Sequence, residues 1–453
     1  MISSALRSHW PQIIMILIGF VMIYIVIMTS VFGTKVSGRN LGVLLMWAVW
    51  LFVLVAILTP IAGRAWCTIC PLPFLGDWIQ RRSFFSPEKG PTKGYFNKFH
   101  GLFLKWPEWL NNSWLRLIIF MILSTFSTAL VTVPRYSGIA VLALLVIPTV
   151  MSSIWELRAF CRYVCPVTVF NAPFSGMSLV AIRNKSQSVC DKCKPHFCQK
   201  GSPTGWACPY GINVGEMKVN IDCGLCLECL RSCSYNNVSV FKRPFGTEAI
   251  ARTMSEAWLS IGIFTMAVVY SVLYLGSWAE VRNYVNIFDK QNWDLFGFYS
   301  LFIWILVLII IPGILYLFSY SGARISKTGI SIKETFLFYA GSLLPLGLML
   351  WVSFVIPMFF VNFTFVLQAA SDPFGWGWDF FGTANIPWHP FMSQYIPWFQ
   401  ACLILTGLYL SLRNIKRIST NYSSKSIQQF WLSIPVIVFL TLMAVVMLNF
   451  FTN

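Results

Sequence analysis

LGVLLMWAVWLFVLVAILTPIAGRAWCTICP, from Leu41 to Pro71, runs apolar to Ala62 and then changes to Gly-Arg-Ala-Trp-Cys-Thr-Ile-Cys-Pro. A helix needs about 20 apolar residues to cross a hydrocarbon core of about 30 Å. Its backbone groups must bond within the segment, because lipid offers them no partner. The first part of the stretch therefore reads as a transmembrane helix, and the second as something placed at that helix's end. Runs of the same kind recur at 11–33, 41–62, 117–134, 137–156, 255–276, 296–319, 335–363, 395–412 and 428–450. Composition agrees: of 453 residues 57% are apolar and only 11% charged, with a mean hydropathy of +0.68. That is too little charge to cover a soluble protein of this length. The expected fold is an all-α polytopic membrane protein with about nine transmembrane helices. The first run is too long for a signal-peptide core and has no small-residue cleavage pattern after it, so it is expected as a retained anchor.

A net charge of +17 would suggest nucleic acid in a soluble chain, but between membrane spans basic residues report orientation instead. With the N-terminus inside, 28 Lys and Arg fall on cytoplasmic segments and five fall outside: Lys35, Arg39, Arg135, Arg282 and Lys290. The expected setting is a bacterial or archaeal inner membrane, with the C-terminus outside and residues 157–253 in the cytoplasm. Structural disulfides are rare there. Twelve of the thirteen cysteines lie on that side. Cys402, alone inside a span, reads as a small packing residue.

The cysteines fall into two patterns. One is a phrase written twice, RAWCTICP at 64–71 and RAFCRYVCP at 158–166, placing Cys67, Cys70, Cys161 and Cys165 at the ends of two helix hairpins. A pseudo-twofold arrangement would let the four thiols converge. An additional metal or cluster site, redox thiols and plain packing beside a helix-stopping proline all remain open for these four. Arg64 and Arg158 suit a thiolate or an anionic cluster, and equally the positive-inside bias. The other pattern is CDKCKPHFC from Cys190 to Cys198, then Cys208-Pro209, then CGLCLECLRSC from Cys223 to Cys233. C-x2-C-x2-C-x3-C is how one loop wraps three thiolates round an iron–sulfur cube while its fourth reaches a neighbouring cube. Crossed ligation predicts Cys223, Cys226, Cys229 and Cys208 on one [4Fe-4S] cluster, and Cys190, Cys193, Cys198 and Cys233 on a second. Structural zinc is the competing reading; haem attachment is not, because no C-x2-C is followed by His. The expected organisation is a four-helix membrane region at 1–156 with the first Cys-Pro phrase (67–71), a segment at 157–253 holding the second phrase (161–166) and a small inserted 2[4Fe-4S] ferredoxin-like domain, and a five-helix membrane region at 254–453.

These residues resemble the NapH/NosR-type membrane polyferredoxins. The likeness rests on the Cys-Pro phrases at helix ends and on C-x2-C-x2-C-x3-C-S-x3-V from Cys223 to Val238, and covers roughly 60–245. The first phrase is one residue shorter between its cysteines than is usual in that family, and the first ferredoxin run is stretched. The resemblance implies an electron carrier within an oxidoreductase complex.

All sixteen acidic residues lie in loops or at span ends, and His9, His100, His196 and His389 lie outside the spans. A proton pump and an intramembrane bis-histidine haem are both left without their usual groups. The loop from Ser371 to Met392 has no Lys or Arg and many aromatics. It reads as an interfacial belt, or as a quinone pocket or docking face. The expected function is a membrane-bound iron–sulfur electron-transfer subunit working between the quinone pool, or a cytoplasmic donor, and a partner redox enzyme. The alternative is a maturation factor that reduces metal or thiols for another enzyme, with the Cys-Pro phrases as working thiols. Membrane lipid, quinone or quinol and other redox subunits are the expected partners; no catalytic residue is assigned.

Overall fold

The computed structural model describes residues 7–275 and 279–452. The last residue of the fifth expected span, 276, lies outside them, as do both chain ends. Among the described residues eight helices are long and apolar enough to cross a membrane: Trp10–Phe32, Leu41–Ala62, Pro134–Ile154, Met254–Leu275, Trp293–Ser326, Ile332–Phe360, Ser393–Ser419 and Ser426–Thr452.

The run at 117–134, expected as a ninth span, is instead two shorter helices, Trp114–Thr125 and Ser127–Thr132, broken at Phe126. Hydroxyls flank the break. Thr125 donates to the carbonyl of Met121 at 2.8 Å, Ser127 to that of Ser124 at 2.7 Å and Thr132 to that of Thr128 at 2.8 Å, and such back-bonding competes with and bends the helix. Val133 is then extended (φ −114°, ψ 100°), as a residue before proline prefers, and Pro134 opens the next helix.

The chain divides into two compact units. The first comprises residues up to Ile27, Leu58–Leu115 and Ile139–Glu248; the second comprises Met28–Ile57, Arg116–Gly138 and the chain from Ala249 on. In the first unit the cysteine-rich segment is closed by an antiparallel pair, Val180–Asn184 with Val238–Lys242, in register from Val180 opposite Lys242 to Asn184 opposite Val238. Ile182 and Val238 face inward from this pair and share a core with Val214, Leu225 and Leu230. A second cluster gathers Phe99, Phe103, Leu157 and Ala207 around the fully buried Trp206. Asn97 holds the 202–207 loop: its amide donates to the Ser202 carbonyl at 3.0 Å and accepts from the Ala207 N–H at 2.8 Å.

In the second unit the helix Ile332–Phe360 is enclosed. Of its most apolar stretch 72% is buried, against 22% for Trp293–Ser326, as suits a helix apolar on every side. Gly407 permits a close approach to it: a Cβ there would stand 2.9 Å from Cβ of Met349 and 3.1 Å from Cα of Leu346. Small residues at helix contacts serve this purpose in membranes. The same unit holds a cavity of about 940 Å³ whose polar lining includes Arg282, Asn362, Gln400 and Asn449, beside Trp47 and Tyr274.

Candidate iron-sulfur sites

The two Cys-Pro phrases are built alike. Gly63, at φ +56°, ends the helix Leu41–Ala62, and a Cβ there would press on Ser175 at 2.9 Å. The short helix Trp66–Ile69 then carries Cys67, and Cys70 is extended before Pro71. In the second phrase the short helix Ala159–Tyr163 carries Cys161, and the extended Cys165 precedes Pro166, the first residue of the helix Pro166–Ser175. Proline at a first helical position lacks only an N–H that would be unpaired anyway.

All four of these cysteines are buried and they converge. Cys70 lies within electrostatic reach of Cys165 and Cys67, and Cys161 within reach of Cys165, Cys70 and Cys67. Two arginines lock the arrangement reciprocally. Arg64 of the first phrase reaches the Cys161 carbonyl of the second at 3.5 Å, and Arg158 of the second donates to the Cys67 carbonyl of the first at 3.0 Å. Arg64 also donates to the Asp222 carbonyl at 2.9 Å and to the Thr168 hydroxyl at 3.3 Å. Arg158 is held by Asp77, whose two carboxylate oxygens accept from its Nε at 3.1 and 3.0 Å. Burial pushes the Cys165 thiol up to about 11, although N–H groups of Thr168 and Val167 point at its sulfur and oppose the rise. Cys70 and Cys161 are raised for the same first reason.

Cys208, Cys223, Cys226 and Cys229 form a second buried group within mutual electrostatic reach. Their loop turns through Leu225 and Leu227, at φ +54° and +65°, a conformation side chains other than glycine rarely adopt. The turn aims the N–H of Leu225 at Cys223 and that of Glu228 at Cys226, and the residues after Pro209 aim those of Tyr210 and Ile212 at Cys208. N–H groups directed at sulfur are what a cluster's ligand loop requires, since such bonds help to set its potential. Burial still dominates, raising Cys208 and Cys223 to about 11 and Cys226 to about 12.

The third group, Cys190, Cys193, Cys198 and Cys233, lines one pocket with Asn213 and Asn237. The Asn237 amide donates to the Cys190 sulfur at 3.2 Å and its backbone N–H to the Cys233 sulfur at 3.4 Å. These thiols are only partly buried. Cys402 belongs to none of the three groups and is exposed on its helix. Among the described residues no three His, Cys, Asp or Glu side chains surround one point closely enough to hold a single metal ion.

Three residues of the sites carry no motif. Asp77 holds Arg158, Thr168 stands 3.9 Å from the Cys67 sulfur, and Tyr210 lies under Arg64, whose guanidinium is 4.8 Å from its ring centroid. Only the Cys-Pro dipeptide at 208–209 hinted that Tyr210 would be near a ligand.

The 4Fe-4S binding domain family matches the chain twice, at residues 43–90 and 137–185. The two matches bracket the two Cys-Pro phrases and stop before Cys190. Together with eight apolar helices of membrane-spanning length, they make this an iron–sulfur membrane protein. Two uncharacterized proteins of Methanocaldococcus jannaschii are similar to it. One is 28% identical over 196 residues, 41% of this chain and 76% of the relative; the other is 25% identical over 192 residues, 41% of this chain and 68% of the relative. No solved structure matches.

Proposed function

We propose that the chain is a membrane electron-transfer subunit of the polyferredoxin type. Cys208, Cys223, Cys226 and Cys229 would hold one [4Fe-4S] cluster, Cys190, Cys193, Cys198 and Cys233 a second, and Cys67, Cys70, Cys161 and Cys165 a third. The observation that carries this reading is the gathering of twelve cysteines of the first unit into three groups of four, one of them built by the two segments that match a 4Fe-4S binding family. When bound, such clusters take up and release single electrons; the protein supplies position and environment. Its own residues exclude water from the two buried groups, direct N–H donors at the sulfurs and set Arg64 and Arg158 beside the Cys-Pro thiols. A nearby cation stabilises thiolate and an anionic cluster alike.

Burial weighs against the maturation-factor reading. Working thiols sit in partly exposed, electropositive places with lowered pKa, whereas Cys70, Cys161 and Cys165 are enclosed and raised. The positive-inside bias supports a cytoplasmic position for the clusters and an inner-membrane setting, with other redox subunits as partners. For a lipid-soluble carrier such as a quinone, the cavity beside Arg282, Gln400 and Asn449 is of suitable size and mixed lining,. Iron and acid-labile sulfide analysis of the purified protein is the test. About twelve irons per chain fit three cubes, about eight leave the Cys-Pro phrases empty, and zinc in place of iron overturns the proposal.

A further inference from the structure

Tyr210 is the least explained side chain in the first unit. It is 4% exposed, yet among the described residues its hydroxyl has no hydrogen-bond partner, and an unmade bond at a buried phenol is costly. Its surroundings are specific. Arg64 lies over the ring, and Cys67, Arg158 and Cys161 are its other charged or ionisable neighbours. The arginines are donors and cannot accept a proton from the phenol. A neutral phenol carries one O–H to donate. The complement such a donor lacks is an acceptor, and the sulfide of a cluster held at the Cys-Pro site would supply one.

The ring is also fixed from below. Gly224 stands between Cys223 and Cys226, and a Cβ there would fall 2.3 to 2.5 Å from Cε2, Cζ and the hydroxyl oxygen of Tyr210. The adjoining backbone is pinned as well: the Pro209 carbonyl accepts from the Arg158 N–H at 3.4 Å, and the Gly211 N–H bonds the Cys208 carbonyl at 2.9 Å. One side chain thus touches the ligand loop of one group of cysteines and lies within electrostatic reach of another.

We propose that Tyr210 is a positioning and tuning residue, whose hydroxyl donates a hydrogen bond to sulfur at the Cys-Pro site while its ring rests on the Cys223–Cys226 loop. The assignment rests on the third cluster proposed above. A donor to cluster sulfur favours the reduced, more negative state and so raises the potential. The test is a redox titration of the full-length protein in detergent, followed by electron paramagnetic resonance and paired with iron counts. The signal lost in Cys161→Ser identifies the Cys-Pro cluster. Tyr210→Phe is expected to keep all its irons, to shift that signal's midpoint to lower potential and to leave the Cys190-group signal in place. Gly224→Ala, which keeps the hydroxyl but displaces the ring, is expected to shift the same midpoint. Loss of the Cys-Pro irons alone in Tyr210→Phe would also support the role. Full iron with unchanged midpoints and line shapes in Tyr210→Phe overturns the assignment of Tyr210 and leaves the third cluster standing; so does loss of every iron, which marks a merely structural residue. A wild-type protein with about eight irons and no signal removed by Cys161→Ser overturns the third cluster, and the role of Tyr210 with it.

Discussion

Asp77 belongs to no motif, yet its carboxylate accepts from Arg158 in a pair whose two members are both almost fully buried. Removing one partner of a buried pair strands a charge, which costs about 3–5 kcal/mol, while replacing both by apolar groups is often neutral. Asp77→Asn is therefore expected to lower unfolding stability in detergent by about that amount, and a double change to Asp77→Leu with Arg158→Met to recover much of it. Equal losses in the single and double variants would show that the pair's charges are not what matters. The cysteines give a second residue-scale expectation. Cys208→Ser and Cys165→Ser should each remove the equivalent of one cube, about four irons, and the two losses should add. Loss of the same irons by both variants would place Cys208 and Cys165 on one cluster.

Among the elements, the helix beginning at Ile332 has a complete capping box: the Ser331 hydroxyl accepts from the Glu334 N–H at 3.2 Å, and the Glu334 carboxylate accepts from the Ser331 N–H at 3.1 Å. Ser331→Ala is expected to cost about 1 kcal/mol, seen as an earlier unfolding midpoint, with Ser331→Asp close to wild type. This box could be read as S-x-x-E ahead of an apolar run. The long apolar helices were legible in the same way, because hydropathy over about 20 residues is a strong signal. The break at Phe126 was not, because a window average sees Leu-Ser-Thr-Phe-Ser-Thr as one apolar stretch with a few hydroxyls. It does not register that Thr125 and Ser127 turn back on their own backbone. Nor could periodicity announce the widened turns at Leu44–Trp50, Val53–Leu58 and Leu306–Ile310, each of which rotates the face presented by the next turns of its helix.

At the scale of the whole molecule, the second unit depends on close helix contacts at residues that look idle in the sequence. Gly407→Leu would drive a side chain into Met349 and the backbone of Leu346. It is expected to cost about 1–3 kcal/mol through overpacking, read as a lower melting temperature in detergent, whereas Gly313→Leu, at a glycine with open space, should change little. The repetition of the Cys-Pro phrase in the sequence marked both places where the 4Fe-4S family matches. Arg64 and Arg158 stood within that repeat, but what it left invisible are the groups around them, Asp77, Thr168 and Tyr210, whose spacing obeys tertiary contact and no local period.

The crossed grip of Arg64 on Cys161 and of Arg158 on Cys67 spans 97 and 91 residues of chain. At ordinary ribosomal speeds that separation is about 5–20 s of synthesis. Throughout that interval Cys67 and Cys70 have left the ribosome without the wall that will later enclose them. Oxidants therefore reach this pair far more readily in the nascent chain than in the finished protein, and slow translation lengthens the exposure.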